Sequence, residues 1–163
     1  MTVTTLNDLF HETLKDIYFA EKKLVIALPK MANKAHSPQL KDAILSHLAE
    51  TEGQVERLED VFAAIGKKPM AKKCEAIEGL LKEATELLDE IKDKRTLDAA
   101  IISSSQTVEH YEIARYGTLV AWAEELGLDE VAAMLQATLD EELTADKALS
   151  AIADSFVNQK AAA

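Results

Sequence analysis

Residues 6–31 read LNDLFHETLKDIYFAEKKLVIALPKM. Within them Leu6, Phe10, Leu14, Ile17, Leu24, Leu28 and Met31 recur at steps of three and four, with one step of seven. That is the apolar stripe of an amphipathic helix, and it extends from about Val3 to Ala35. The position the stripe skips is Glu21. An ionised carboxylate in a helical seam costs several kcal/mol unless it is paired, hydrogen-bonded or bound to a cation. The rest of the chain repeats this combination of long apolar stripe and misplaced acid.

A second helix is expected over about 38–65. It starts at Ser37-Pro38, an N-cap followed by proline at the first helical position, and stops at Gly66. Its stripe is Leu40, Ile44, Leu48, Thr51, Val55, Leu58, Phe62 and Ile65. Residues 67–73 form a basic, proline-containing connector, and a short helix is expected over about 76–91. Long helices follow over about 96–126, with Leu97, Ile101, Val108, Leu119, Trp122 and Leu126 inward, and over about 129–157, with Val131, Leu135, Leu139, Leu149, Ile152 and Phe156 inward. No strand pattern competes. Connections of about two residues make helices one and two, and three and four, antiparallel hairpins, while about 30 residues separate the pairs. The expectation is an all-α, single-domain chain over 1–163, a four-helix bundle with the long crossover of ferritin-like proteins. Sliding the first half onto the second by 91 residues puts Glu21 on Glu112, Leu28 on Leu119 and Glu50 on Glu141, a match that amphipathic helices partly share by pattern alone.

Composition bounds the partners. The 163 residues carry 29 acidic and 18 basic side chains, a formal net charge of −11, which argues against nucleic acid or an anionic membrane as the main partner. Hydrophobic residues make up 48%, enough for a core and too many for a disordered acidic tail. The single cysteine, Cys74, cannot form an internal disulfide. No apolar run approaches the roughly 20 residues a membrane span needs, and no signal segment opens the chain. A soluble, cytoplasmic protein is expected.

The acids carry the chemistry. Glu21, Glu112, Glu142 and Asp146 interrupt apolar stripes near the middle of three helices, which antiparallel packing brings to one level. Glu109 lies one turn before Glu112, and Glu50 and Gln54, four apart, flank Thr51. About six carboxylates in one dry layer repel one another, and two divalent or trivalent cations would bridge them. Iron and manganese accept such oxygen-rich donor sets. The competing reading is an ion-pair network, with Arg115 on the same stripe as Glu112 facing an acid.

Several stretches together resemble the YciF-like family of ferritin-like bacterial stress proteins, over nearly the whole chain. They are YFAEK at 18–22, HLAETEGQVERL at 47–58, KCEAIEGL at 73–80, VEHYEIA at 108–114, YGTL at 116–119 and TLDEE at 138–142, followed by Asp146. The resemblance implies a ferritin-like homodimer induced under stress, with a di-metal centre like that of rubrerythrins; it supplies no reaction. The best-understood di-iron pattern has Glu-x-x-His on two helices. Here Gly53, Val55 and Ala145 stand three residues after Glu50, Glu52 and Glu142. His47, one turn before Glu50, is the nearest imidazole.

Two functions follow. In the first, Glu21, Glu50, Gln54, Glu109, Glu112, Glu142 and Asp146 line a dinuclear Fe or Mn site that reacts with oxygen or peroxide, or holds ferrous iron. In the second, the acids are structural and a dimeric, non-enzymatic stress protein acts through a protein partner. Tyr18, Tyr111 and Trp122 are read as packed aromatics, and Cys74 as an inert thiol.

Overall fold

A computed structural model describes residues 2–163. The regular structure is helical throughout the described residues, with long helices α1 (Leu6–Lys34), α2 (Pro38–Ala64), α4 (Lys94–Glu125) and α5 (Asp129–Ile152) and a shorter α3 (Glu75–Glu90). A π-helical turn, Ala153–Val157, carries α5 into α6 (Asn158–Ala161). Local chemistry sets these limits. Thr5 and Asp8 form a capping box that starts α1 three residues later than its stripe suggests. Ser37 accepts from the Leu40 amide at 3.3 Å with Pro38 at the first turn, as expected. Asp93 caps α4 through the Thr96 amide at 2.8 Å. Gly66 and Gly127 have φ of 68° and 69°. Each closes its helix with paired reverse hydrogen bonds, Lys67 to Phe62 and Gly66 to Ala63 in one, Leu128 to Ala123 and Gly127 to Glu124 in the other.

α1 packs on α2 and α4 packs on α5; the two hairpins then meet through α2 on α5 and α1 on α4. The crossover helix α3 lies against α4 and α1, where Lys23 pairs with Glu78 at 3.2 Å. Asp98 at the start of α4 accepts from the amides of His36 and Ser37, at 2.7 and 2.9 Å, tying the second hairpin to the turn of the first. No described helix is long and apolar enough to cross a membrane.

The buried stripes differ from the hydropathy stripes most plainly on α2 and α4. On α2 the buried residues are Leu40, Ile44, His47, Thr51, Gln54, Leu58, Val61 and Phe62, so His47 and Gln54 take the inward positions expected of Leu48 and Val55. On α4, Tyr116 is fully buried where Arg115 was expected. In both cases adjacent residues, 100° apart, compete for one seam; packing selects the polar neighbour on α2 and the aromatic one on α4. Leu6, at the head of the first stripe, is 36% exposed, because α1 has barely begun there.

Candidate metal centre

Each long helix contributes to one buried polar layer. α1 supplies Glu21, in the seam between Ile17 and Leu24 and fully buried; one of its oxygens accepts from the Tyr116 hydroxyl of α4, and the other has no partner. α4 also supplies Glu112, fully buried with neither oxygen hydrogen-bonded, and Glu109, 3% exposed. α5 supplies Glu142, likewise fully buried with both oxygens unpartnered. α2 supplies His47, whose Nε2 lies 3.2 Å from Glu109 Oε1 and 3.7 Å from Glu142 Oε2. One donor atom from each of His47, Glu109, Glu112 and Glu142 lies within 4.8 Å of the others.

The electrostatics follow from geometry. Burial, and then the charge of Glu142, pushes the Glu21 carboxyl up to about 8. Burial, and then the charges of Glu142 and Glu21, push Glu109 to about 11. Burial and the charges of Glu21 and Glu142 hold Glu112 well above the usual carboxylate range. Burial and Glu21 raise the Tyr116 phenol, so Tyr116 remains a hydrogen-bond donor. Buried polar atoms are normally hydrogen-bonded, yet unpartnered ones gather here: on Glu21, His47, Gln54, Glu109, Glu112 and Glu142. A set of converging acceptors without donors fits a cation.

Not every residue singled out in the sequence enters this cluster. Gln54 is fully buried, but its amide donates to Glu141 at 3.0 Å. Glu50 sits at the edge, 42% exposed, with a carboxylate oxygen 3.5 Å from His47 Nδ1. Asp146 turns away, accepting from Gln106 at 2.9 Å and lying 3.4 Å from the exposed His110. On α5 the seam passes through Glu142 and Leu149, seven apart, so Ala145 and Asp146 straddle it and neither faces inward fully. Arg115 does not pair with the layer; it is 42% exposed, stacks over Tyr111 and lies 3.9 Å from Asp16. The arginine beside the layer is Arg57, which grips Glu141 with two bonds of 2.8 Å and donates to Thr138 at 2.6 Å. Burial would raise Glu141, but its bonds from Arg57 and Gln54 outweigh this and leave it below the usual range. Sequence reading passed over Tyr116 and Arg57 as functional candidates. Their signal was spacing: Tyr116 stands four after Glu112 and Arg57 three after Gln54.

Comparison with known proteins gives this arrangement a lineage. Residues 5–162 match the family described as domain of unknown function DUF892. Protein YciF of Escherichia coli (strain K12) is 42% identical over 162 residues, 99% of this chain and 98% of that protein. The crystal structure of that E. coli stress protein superposes with a TM-score of 0.92, covering 96% of this chain and 99% of that one. YcfI from Rhodopseudomonas palustris, 51% identical, superposes at 0.90 over 91% of this chain and 94% of its own. A Xanthomonas campestris protein at 24% identity and a TM-score of 0.72 shares the fold. The chain belongs to the DUF892 family, among relatives of the YciF kind.

Proposed function

We propose that the chain is a ferritin-like, four-helix stress protein whose buried layer is a carboxylate-rich iron or manganese centre. The observation that carries the reading is the convergence of unpartnered buried acceptors on Glu109, Glu112 and Glu142 beside His47. Glu21 adds a further carboxylate from α1. One imidazole and several carboxylates are a donor set suited to Fe and Mn, the set a dinuclear centre calls for. Such a centre supplies electron exchange with oxygen, peroxide or ferrous iron. The chain's own residues do the rest. The apolar seams above and below exclude bulk water, Tyr116 holds Glu21 in place by its hydroxyl, and Arg57 with Gln54 fixes Glu141 at the rim. Glu50, at the exposed edge beside His47, is placed to receive a cation from solvent.

One observation favours the second reading, a homodimeric, non-enzymatic stress protein acting through a partner. Burial keeps Glu109 protonated up to about 11, so the layer can remain nearly neutral without a cation. Elemental analysis of protein purified without chelator, with Fe(II) and Mn(II) titrations followed by thermal melting, separates the two. A bound cation raises the melting temperature by mass action, and a chelator reverses the gain. In Glu112→Gln the cation-induced shift is expected to vanish. The metal-free variant should match or exceed metal-free wild type in stability, by up to about 4 kcal/mol, because a buried acid is gone. Wild type that takes up neither metal would leave the acids structural.

A further inference from the structure

Between α2 and α5 a cavity of about 200 Å³ runs inward to the acid cluster. Leu28, Ile44, Ala145 and Leu149 make its walls apolar. Ala148 and Thr144, exposed on α5, stand at its mouth near Glu50. Part of its lining is polar. His47, Ser105 and Glu109 line it, at 7%, 6% and 3% exposure, and each has an atom without a partner: Nδ1, Oγ and Oε2. Three buried polar groups with spare hydrogen-bonding capacity on the wall of an otherwise largely apolar recess constitute a head-group site beside room for an apolar body.

We propose that this cavity binds a small neutral organic molecule with an apolar body and an O–H head, an alcohol or hydroperoxide. Size argues for an organic body. An apolar cavity of about 150 Å³ holds benzene, so this one exceeds what dioxygen or hydrogen peroxide would fill. The polar groups define the head: the Ser105 hydroxyl can donate, while Glu109 Oε2 and His47 Nδ1 can accept, so one O–H satisfies both kinds. A charged head would lose its water shell in a recess walled by the buried Leu28, Ile44 and Leu149, a cost that a few hydrogen bonds to neutral groups do not offset. The assignment of this ligand as a substrate rests on the metal reading above; its binding does not, because the apolar walls and the Ser105 hydroxyl are there whether or not His47 and Glu109 hold a cation.

The test titrates benzyl alcohol, toluene, benzoate and benzylamine into the full chain, in chelator and again with Mn(II), by calorimetry or ligand-observed NMR. Benzyl alcohol is expected to bind with a Kd of about 1 mM or tighter, and the other three at least about 5-fold more weakly. Ala145→Phe fills the recess and should weaken binding at least about 10-fold; Ala148→Phe, at the exposed mouth, repeats the test where the fold has room. Ser105→Ala should weaken benzyl alcohol about 3-fold or more and leave toluene unchanged. No binding by wild type at about 20 mM, indifference to both Phe variants, or benzoate or benzylamine binding as tightly would overturn the proposal. Metal uptake by the same samples keeps the two ideas apart. Benzyl alcohol binding by protein that takes up neither Mn(II) nor, anaerobically, Fe(II) sinks the metal reading alone, and uptake of either metal without benzyl alcohol binding sinks the pocket alone.

Discussion

Glu21 has one hydrogen-bond donor, the Tyr116 hydroxyl, in an otherwise apolar seam. Tyr116→Phe keeps the ring's volume and removes that donor. It is expected to cost about 1–3 kcal/mol in the metal-free protein, measured by urea denaturation. A change below about 0.5 kcal/mol would mean that Glu21 finds its satisfaction elsewhere. The raised carboxyls also fix a pH dependence. Glu21 titrates near 8 and Glu109 near 11 in the folded chain, against 4.5 ordinarily, so the folded state holds protons that the unfolded state has released. Their contribution to stability is therefore complete below about pH 4.5 and declines as pH rises, for Glu21 until about 8 and for Glu109 until about 11. Urea midpoints in chelator should fall between pH 5 and pH 8, and Mn(II) should flatten the decline by taking the protons' place; a rise over that range without metal would contradict the burial of these acids. The acids themselves were legible in the sequence because a carboxylate interrupts an apolar stripe visibly. His47 and Tyr116 were harder to see. Leu48 beside the first is apolar, so hydropathy rotated that seam by one residue; Arg115 beside the second falls on the three- and four-residue spacing from Val108 through Glu112 to Leu119, so spacing rotated the other.

At the scale of elements, the ends of helices were the most legible part. Ser37-Pro38, Gly66 and Gly127 act locally, and each does what its chemistry predicts. Caps that depend on a side chain three residues on, such as Thr5 with Asp8, moved a boundary; so did the π-turn at Ala153–Val157, which leaves no mark in an apolar period. The glycines provide a paired test. Gly127 holds φ 69° in a helix-ending turn, so Gly127→Ala should destabilise by about 1–2 kcal/mol. Gly53 lies inside α2 with nothing within 4 Å of an added Cβ, so Gly53→Ala should stabilise by up to about 1 kcal/mol. Denaturant midpoints with unchanged slopes would read both; equal signs would contradict the turn geometry.

For the whole molecule, the hairpin–crossover–hairpin order was readable from loop lengths, while the destination of Glu50 and Asp146 was not, since a seam that passes between two residues is settled only by the partner helices. Residues 67–73 of the crossover are exposed, and Lys72 is tied to α1 through the Lys15 carbonyl at 3.0 Å and Glu12 at 2.9 Å. Limited trypsin is expected to cut first at Lys67, giving residues 1–67 and 68–163 that separate on a denaturing gel and co-elute on size exclusion, because α2 on α5 and α1 on α4 still hold the halves together. Separate elution would mean that the covalent crossover, rather than packing, joins them. The wiring also orders assembly. Each hairpin joins helices close in the chain and can form early, whereas Glu21 and His47 lie on one hairpin and Glu109, Glu112 and Glu142 on the other. The polar layer is thus closed only when preformed halves dock, and that late step, not hairpin formation, should carry the folding rate's response to acid and to divalent ions.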